Sequence, residues 1–306
     1  MLVAVTGATG FVGSRVVERL LRRDHEVRVL TRQPERAGWL HDRGVEVVKG
    51  DLEDQAALRA LVTGAEAVVH LVGIIVEVAG QTFERVHVSG TRNVLGAARE
   101  AEVPRLVHMS ALGARPDREA TAYHRTKAAA EELVRTSGVS HAILRPSLIA
   151  GQGSPPLRMM VDMLRLSPVV PVIGDGKYQM QPVAIEDVAE VFAVAVEKPD
   201  TRGTFDVAGL DALTYHEMLD LLERALGVKR RRVPVPVGMV RFAAYAGMVL
   251  PNLNPITPDQ LTMLIEGNTT TNNAIESTFG VAPRRFADVA REICEPYAAR
   301  VGVGEG

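Results

Sequence analysis

The sequence predicts a doubly wound α/β protein, with a parallel sheet covered by helices on both faces, and a smaller, mostly helical C-terminal lobe. Short apolar runs alternate regularly with segments of helical spacing through the first half of the 306 residues. These runs are continuous rather than alternating apolar and polar residues, which is typical of strands covered on both faces. Three glycines directly follow the first run.

Six strands and five helices are predicted before residue 150. The strands are LVAVT (2–6), EVRVLT (26–31), VEVVK (45–49), AVVHLV (67–72), RLVHMS (105–110) and HAILRP (141–146). The helices cover 11–23, 35–44, 54–64, 83–100 and 122–138. Because strand–helix–strand units join parallel strands through right-handed crossovers, we expect one parallel sheet.

The regular alternation ends after Gly151. Five prolines between residues 151 and 182 predict loops around a helix near 157–166. A helix at 186–197 and a strand at 204–209 are expected to return to the sheet. We therefore assign 1–150 to the first domain, completed by 183–209, and assign 151–182 and 210–306 to the C-terminal lobe.

Composition excludes several classes of function. Lys and Arg number 35 against 37 Asp and Glu, so the chain lacks the basic footprint of a nucleic-acid-binding protein. Cys294 is the only cysteine, which excludes an intrachain disulfide and a thiolate metal site. We find no signal peptide and no apolar run of about 18 residues. A cytoplasmic protein with a small-molecule substrate and no bound metal is expected.

The stretch VAVTGATGFVGS (3–14) places Gly7, Gly10 and Gly13 between the first strand and the first helix. Such a turn directs backbone N–H groups and the positive end of a helix to one point, which suits a pyrophosphate. Gly7 would allow the tight turn, Gly10 the close approach of a phosphate, and Gly13 the packing of helix on strand. The spacing is G-x-x-G-x-x-G, so the prediction depends on this strand-to-helix context.

With its other motifs, the chain resembles the extended or atypical branch of the short-chain dehydrogenase/reductase superfamily. The motifs are TGATGFVG (6–13), KGDL (49–52), HLVG (70–73), Tyr123-x-x-x-Lys127, LRPSLIAG (144–151) and QPVAIEDVA (181–189). The resemblance covers nearly the whole chain and implies an NAD(P)-binding Rossmann domain. QPV, the later Asp187-Val and PNLNPITPDQL (251–261) are most similar to the nucleotide-binding accessory subunit of respiratory complex I and its bacterial relatives.

The resemblance also implies the residues that contact the cofactor. Beside the three glycines, these are Thr9, Phe11 and Val12 in the first loop, Asp51 and Leu52 at the adenine, Leu71, Val72 and Gly73 at the adenosine ribose and pyrophosphate, Lys127, and Pro146, Ser147, Leu148 and Ile149 beside the nicotinamide.

The end of the second strand bears on the choice between NAD and NADP. An acid there would bind the ribose hydroxyls of NAD, whereas a basic residue favours the 2′-phosphate of NADP. Here Arg32 follows the strand and no acid comes before Glu35. Arg32 is a candidate for a bidentate phosphate contact, with Arg15 or Arg36 as helpers. We predict NADP(H); NAD, with Arg32 an ordinary solvated loop residue, is the alternative.

Tyr123 and Lys127 are four residues apart on a predicted helix and so share one face. The pKa of a free tyrosine is about 10, and a nearby ammonium group favours the phenolate. In the family, the lysine also holds the nicotinamide ribose while the tyrosine exchanges a proton with the substrate oxygen. We predict these roles for Tyr123 and Lys127. A surface pair without a catalytic role is the alternative.

Several positions bear on whether catalysis is retained. Ser110 ends the fifth strand. Its hydroxyl group would either donate a hydrogen bond to a substrate oxygen or cap the end of the strand. Many extended members carry their working Ser or Thr slightly later, where this chain has Ala111 and Leu112. His87 replaces the family's supporting asparagine, and we interpret both His87 and Asp187 as structural.

The cluster KRRR (229–232) precedes a long apolar stretch, 233–251, which only Arg241 interrupts. A basic cluster beside an apolar helix is typical of contact with an anionic lipid surface, and the complex I resemblance favours the same contact. The interpretation we favour is a helix packed in the core of the C-terminal lobe, with a solvated basic cluster. A peripheral membrane contact or a hydrophobic protein partner is the alternative.

The leading functional hypothesis is an NADP(H)-dependent oxidoreductase of the atypical short-chain type. One alternative is a non-catalytic NAD(P)H-binding protein with a structural, assembly or redox-sensing role. A further alternative is a nucleotide-sugar epimerase or dehydratase that recycles its cofactor. No motif in the C-terminal lobe names a substrate.

Overall fold

A computed structural model describes residues 1–78, 80–249 and 256–298, apart from the side chains of residues 36, 247–249 and 298. The chain forms two compact units. The first comprises Met1–Pro146, Ile185–Val207 and Asn272–Ala282. The second comprises Ser147–Ala184, Ala208–Thr271 and the chain from Pro283 onward.

Helices and strands are numbered in chain order. They are β1 (Leu2–Thr6), α1 (Phe11–Arg22), β2 (Glu26–Thr31), a 3₁₀ turn (Pro34–Ala37), α2 (Gly38–His41), β3 (Glu46–Lys49), α3 (Gln55–Val62), β4 (Ala67–His70), a π-helical turn (Glu84–Ser89), α4 (Gly90–Glu100), β5 (Arg105–Met109), α5 (Ala122–Arg135), β6 (Ser140–Pro146), β7 (Ile149–Ala150), α6 (Pro155–Leu166), β8 (Val169–Ile173), β9 (Gln179–Met180), β10 (Val183–Ala184), α7 (Ile185–Glu197), β11 (Gly203–Val207), β12 (Leu213–Thr214), α8 (Tyr215–Leu226), β13 (Arg231–Val235), α9 (Val237–Val249), α10 (Pro258–Glu266) and α11 (Phe286–Ala298).

The first unit is built on a sheet of seven strands within the described residues, in the order β3-β2-β1-β4-β5-β6-β11. Every neighbouring pair is parallel, which confirms the predicted fold class. Because β1 lies between β2 and β4, the strand order reverses at this point. The loops after β1 and β4 leave in opposite directions here, and doubly wound sheets bind their ligands in the resulting crevice.

A buried arginine fixes one helix to this sheet. Arg105 of β5 donates hydrogen bonds to the carbonyl groups of Ala195, Lys198 and Thr201, at the C-terminus of α7. Burial lowers the pKa of its guanidinium to about 10. Since the last carbonyls of a helix have no partners within the helix, Arg105 caps α7.

The second unit packs helices around its own apolar core. Buried side chains from α6, α8 and α11 form this core, among them Leu157, Met218 and Phe286. A capping box of Thr214 and Glu217 starts α8, and Gly227 ends it in the left-handed conformation. The helices were predicted, but β8 and β13 form a parallel ribbon that the sequence analysis missed.

The tail motif is described only in part. Residues 251–255 of PNLNPITPDQL lie outside the described residues, and Thr257 caps α10 with a capping box to Gln260. In the part of the chain that the structure describes, no helix is long and apolar enough to cross a bilayer.

Candidate dinucleotide and proton-transfer site

The three glycines of the first loop meet different steric demands. Gly7 has a φ of +80°, and its carbonyl accepts a 3.0 Å hydrogen bond from Gly10 N–H. A Cβ on Gly13 would lie 2.0 Å from that carbonyl oxygen, a distance that no side chain can occupy. A Cβ on Gly10 would lie 3.2 Å from the same oxygen. Gly13 is therefore required by the fold, whereas Gly10 leaves room beside the loop.

The N-terminus of α1 is suited to an anion. Among the described side chains, none caps this helix and none in its first turn is acidic. The N–H groups of Phe11, Val12 and Gly13 belong to the first turn, where the helix supplies no acceptors. Thr9 and Gly10 are exposed immediately before them. These residues fit the pyrophosphate of a dinucleotide.

The loop after β4 runs from the glycine loop towards Lys127. A Cβ on Gly7 would lie 3.1 Å from the Leu71 carbonyl carbon and from Val72 N, so the two loops approach closely. A Cβ on Gly73 would lie 3.0 Å from Nζ of Lys127. Leu71, Val72 and Gly73 thus connect the anion-binding loop with the lysine of the Tyr-Lys pair.

The residues after β3, which are predicted to border the adenine, are held by local hydrogen bonds. Asp51 Oδ1 accepts from the backbone N–H groups of Glu53 and Asp54, at 2.8 and 3.2 Å. Asn93 donates a 2.8 Å hydrogen bond to the carbonyl of Leu52. The turn of the KGDL motif is therefore held by hydrogen bonds within the protein.

The side chain of Arg32 is exposed and has no hydrogen-bond or ion-pair partner among the described residues. Its proposed helper Arg15 is engaged elsewhere, because it pairs with Glu18 at 3.1 Å and with Glu186 at 3.5 Å. The side chain of Arg36 lies outside the described residues. Of the two candidate arginines whose side chains are described, Arg32 is the one without a partner among the described residues.

Tyr123 and Lys127 lie on α5, and both are affected by burial. Lys127 is 3% exposed, its Nζ donates a 3.0 Å hydrogen bond to the Met109 carbonyl, and burial lowers its pKa to about 8. We expected the ammonium group to lower the pKa of Tyr123. That expectation was wrong: burial raises the pKa of Tyr123 to about 12, so the phenol is protonated at neutral pH.

His87 connects α5 to the loop after β4. Its Nε2 lies 3.1 Å from both the backbone N and O of Ile74, and its Nδ1 lies 2.9 Å from Oγ1 of Thr126. The ring also packs edge-on against Tyr123, with centroids 5.6 Å apart. Burial lowers the pKa of His87 to about 3, so it is neutral. These contacts are those of a structural residue.

Ser110 has a protein partner for its hydroxyl group. Its Oγ donates a 2.6 Å hydrogen bond to Oε1 of Glu131, whose side chain is fully buried. The same carboxylate accepts two hydrogen bonds from Arg145, at 2.7 and 2.6 Å, and one from Arg135 at 2.6 Å. Of the two roles considered for Ser110, the geometry therefore favours the structural one over contact with a substrate.

The residues after β6 divide between the two units. Pro146 ends β6 in the first unit, whereas Ser147, Leu148 and Ile149 belong to the second. Ser147 Oγ donates a 2.5 Å hydrogen bond to the Gln181 carbonyl, and Leu148 packs against the core of the second unit. Their predicted contact with the nicotinamide stays a prediction.

Sequence reasoning missed a buried polar row across the sheet. Oγ1 of Thr6 lies 2.7 Å from Nδ1 of His70, and Nε2 of His70 lies 3.1 Å from Oγ1 of Thr91. His108 stacks on His70 with centroids 5.3 Å apart, and within the described residues neither of its ring nitrogens has a partner. The matching runs VVH (68–70) and LVH (106–108) were the available signal, because they pair in register.

The parallel sheet, the reversal of strand order and the glycine loop at the N-terminus of α1 define a dinucleotide-binding α/β protein. The sequence profile described as "NAD dependent epimerase/dehydratase family" matches residues 3–208. The chain belongs to this family.

Curated relatives include both reductases and a respiratory subunit. The chain is 32% identical to ceramide reductase of Caulobacter vibrioides, over 77% of this chain and 74% of the relative. It is 27% identical to a ketoreductase of Stigmatella aurantiaca acting on a farnesyl dihydroquinoline oxide, over 81% and 80%. It is also 27% identical to subunit 9 of the mitochondrial NADH dehydrogenase alpha subcomplex of Arabidopsis thaliana, over 90% of this chain and 72% of the relative.

Among solved structures, UDP-glucose 4-epimerase of Thermotoga maritima superimposes with a TM-score of 0.76 at 18% identity. The alignment covers 98% of this chain and 100% of the epimerase. At this identity the likeness shows the fold alone.

Proposed function

We propose that this protein is an NADP(H)-dependent oxidoreductase that reduces the carbonyl group of a hydrophobic, lipid-like substrate. The observation that carries the proposal is the arrangement of α5. Tyr123 and Lys127 share one face of this helix, and Lys127 Nζ lies beside Gly73 in the loop that follows β4. The anion-binding loop and the proton-transfer pair are thereby joined through Leu71, Val72 and Gly73.

In this proposal the chain's residues handle the proton. When bound, a reduced nicotinamide would supply the hydride that reduction of a carbonyl carbon requires. Tyr123 donates its phenolic proton to the carbonyl oxygen, giving the alcohol, and its raised pKa of about 12 keeps it protonated beforehand. Lys127 binds ribose hydroxyls and, with a pKa of about 8, returns a proton to the tyrosinate. The protonated phenol is the form of Tyr123 that the reduction requires.

The relatives support the substrate class. Ceramide and a farnesyl-bearing quinoline oxide both carry long hydrocarbon chains, and the two named activities are reductions. The two names share the reduction of a largely hydrocarbon molecule, and the second also names a ketone as the group reduced. The proposal for this chain combines these two features.

Arg32 supports NADP(H) over NAD(H). Its guanidinium is exposed, has no partner among the described residues, and follows β2 where a ribose phosphate would lie. The test is a fluorescence titration with NADPH and NADH of the wild type, of Arg32→Ala and of the control Arg22→Ala, which removes another exposed arginine of the same unit. We expect Arg32→Ala alone to weaken NADPH binding by roughly 10-fold or more while NADH binding is unchanged. Equal affinities of the wild type for both would refute the preference.

The reaction itself is tested by following NADPH absorbance with ceramide-type and prenylated ketones presented in detergent micelles. Tyr123→Phe should lower turnover by about 10²- to 10⁴-fold while NADPH binding persists. Turnover that survives in Tyr123→Phe would overturn the proton-transfer mechanism.

A second candidate is a non-catalytic NAD(P)H-binding component, as the mitochondrial relative suggests. It is favoured by the contact between Ser110 and Glu131 and by the buried apolar Leu112 where many extended members place the working hydroxyl. It predicts NADPH binding without turnover on any ketone. An epimerase or dehydratase would also show no net reduction, and only a product assay with nucleotide sugars identifies it.

A further inference from the structure

The helix α9 is apolar on all sides. Its sequence, VGMVRFAAYAGMV, contains a single charged residue, Arg241. A helix that is apolar all round belongs in a protein core or against lipid. The core position favoured from the sequence is wrong for most of this helix, because most of its described side chains are exposed.

Most of α9 is exposed rather than packed. Among its described side chains only that of Ala244 is buried, with Val237 and Val240 partly covered. Met239, Phe242 and Tyr245 are 64%, 77% and 57% exposed. Three-residue spacing places these three on one face of the helix. We call this set, Met239, Phe242 and Tyr245, the α9 face.

The basic cluster before α9, residues 229–232, contains two arginines with partners in the second unit. Arg230 donates a 2.6 Å hydrogen bond to the Leu164 carbonyl, and Arg232 pairs with Asp220 at 2.5 Å and Glu223 at 3.0 Å. These two arginines hold the second unit together.

Lys229, Arg231 and Arg241 are different. All three are exposed, and none has an ion-pair partner within the described residues. The strand between them adds apolar surface, since Pro171 and Val233 are register partners and both are exposed. The second unit therefore presents a continuous stretch of chain, 229–245, with an exposed apolar helix and three cations that have no ion-pair partner among the described residues.

We infer that the α9 face docks on the surface of an anionic lipid bilayer. Met239, Phe242 and Tyr245 insert among the acyl chains, while Lys229, Arg231 and Arg241 contact lipid phosphates. A second copy of the chain is disfavoured as the occupant, because a two-fold contact places the same unpaired cations on both sides of the interface. The docking does not depend on the proposed reaction. If that reaction holds, docking brings the enzyme to the phase in which its hydrocarbon substrate is dissolved.

The first test is flotation of the full chain with vesicles of phosphatidylcholine alone, or mixed with phosphatidylglycerol. The wild type should float with the anionic vesicles and much less with the neutral ones. Met239→Ser/Phe242→Ser should lower the partition coefficient by about 10-fold or more. The control Leu210→Ser changes an exposed leucine of the same unit outside the α9 face and should leave partitioning unchanged. Because all these residues are exposed, thermal midpoints should match the wild type.

The second test addresses charge. Lys229→Glu/Arg231→Glu should lower anionic-vesicle binding by more than about 20-fold, and added salt should weaken wild-type binding. The control Arg22→Glu/Lys198→Glu reverses two exposed cations of the first unit and should have little effect.

Two results would overturn the inference. One is the absence of wild-type binding to anionic vesicles. The other is a concentration-dependent dimer, measured by sedimentation equilibrium, that Met239→Ser/Phe242→Ser abolishes. NADPH titration and ketone turnover in micelles are measured on the same samples, so failure of docking and failure of the proposed reaction are told apart.

Discussion

The two halves of α5 carry buried charges in opposite circumstances. In the C-terminal half, the Glu131 carboxylate accepts hydrogen bonds from Ser110, Arg145 and Arg135. In the N-terminal half, Lys127 Nζ donates one hydrogen bond, to the Met109 carbonyl, and burial lowers its pKa. The Glu131 carboxylate therefore has several hydrogen-bond partners within the fold. The Lys127 ammonium group has one, and its burial disfavours the charged form. Groups of the second kind are candidates for function.

The sharpest test of this comparison is to remove each charge in turn. Glu131→Ala leaves Arg145 partly buried without its carboxylate and should lower the free energy of unfolding by about 3–5 kcal/mol. Lys127→Met removes a desolvated ammonium group and should raise the free energy of unfolding by about 1 kcal/mol at pH 7. Urea denaturation measures both. Equal losses in the two variants would show that Lys127 is as much a part of the fold as Glu131.

The glycine loop offers the same contrast between a filled and an open position. Gly13→Ala forces a Cβ against the Gly7 carbonyl and should cost at least about 3 kcal/mol of stability. Gly10→Ala meets only a 3.2 Å contact and should cost about 1 kcal/mol or less. Because the added methyl group occupies the approach to the α1 N-terminus, Gly10→Ala should nevertheless weaken NADPH binding by roughly 10-fold or more. A Gly10→Ala variant with wild-type affinity would place the phosphates elsewhere.

Much of this arrangement could be predicted because it is local in sequence. Strand periodicity, the glycine spacing and the four-residue separation of Tyr123 and Lys127 all act within one element. The partner of Ser110 could not be predicted, since Glu131 lies 21 residues away on another element. The raised pKa of Tyr123 depends on burial by Phe83 and His87, which comes from tertiary packing. The run that forms β13 contains Pro234, and a proline inside a run argues against a strand. Its pairing with β8 comes from tertiary structure and could not be read from the sequence.

Buried histidines extend the comparison to pH. Burial lowers the pKa of His70 and of His87 to about 3, whereas an unfolded histidine titrates near 6.5. Between these values the unfolded state binds more protons, so stability is fully present above about pH 6.5 and is lost as the pH falls. Acidification from pH 7 to pH 5 should lower the free energy of unfolding by about 2 kcal/mol for each of these imidazoles. The His87→Asn variant lacks one of these imidazoles, so acidification should lower its free energy of unfolding by about 2 kcal/mol less than that of the wild type. Urea denaturation at both pH values measures the difference.

The smallest effect is expected for the stacked pair His70 and His108, which share a position on adjacent strands but differ in their partners. His70 is bonded at both ring nitrogens and His108, among the described residues, at neither. His70→Leu should therefore destabilise the protein, because Thr6 and Thr91 lose a buried partner. His108→Leu replaces an unsatisfied polar ring by a hydrocarbon of similar size and should stabilise it by about 1 kcal/mol at pH 7. If His108→Leu instead lowers the stability, the imidazole ring has a hydrogen-bond partner outside the two neighbouring strands. If the variant keeps its stability but loses turnover, His108 joins Lys127 among the candidates for function.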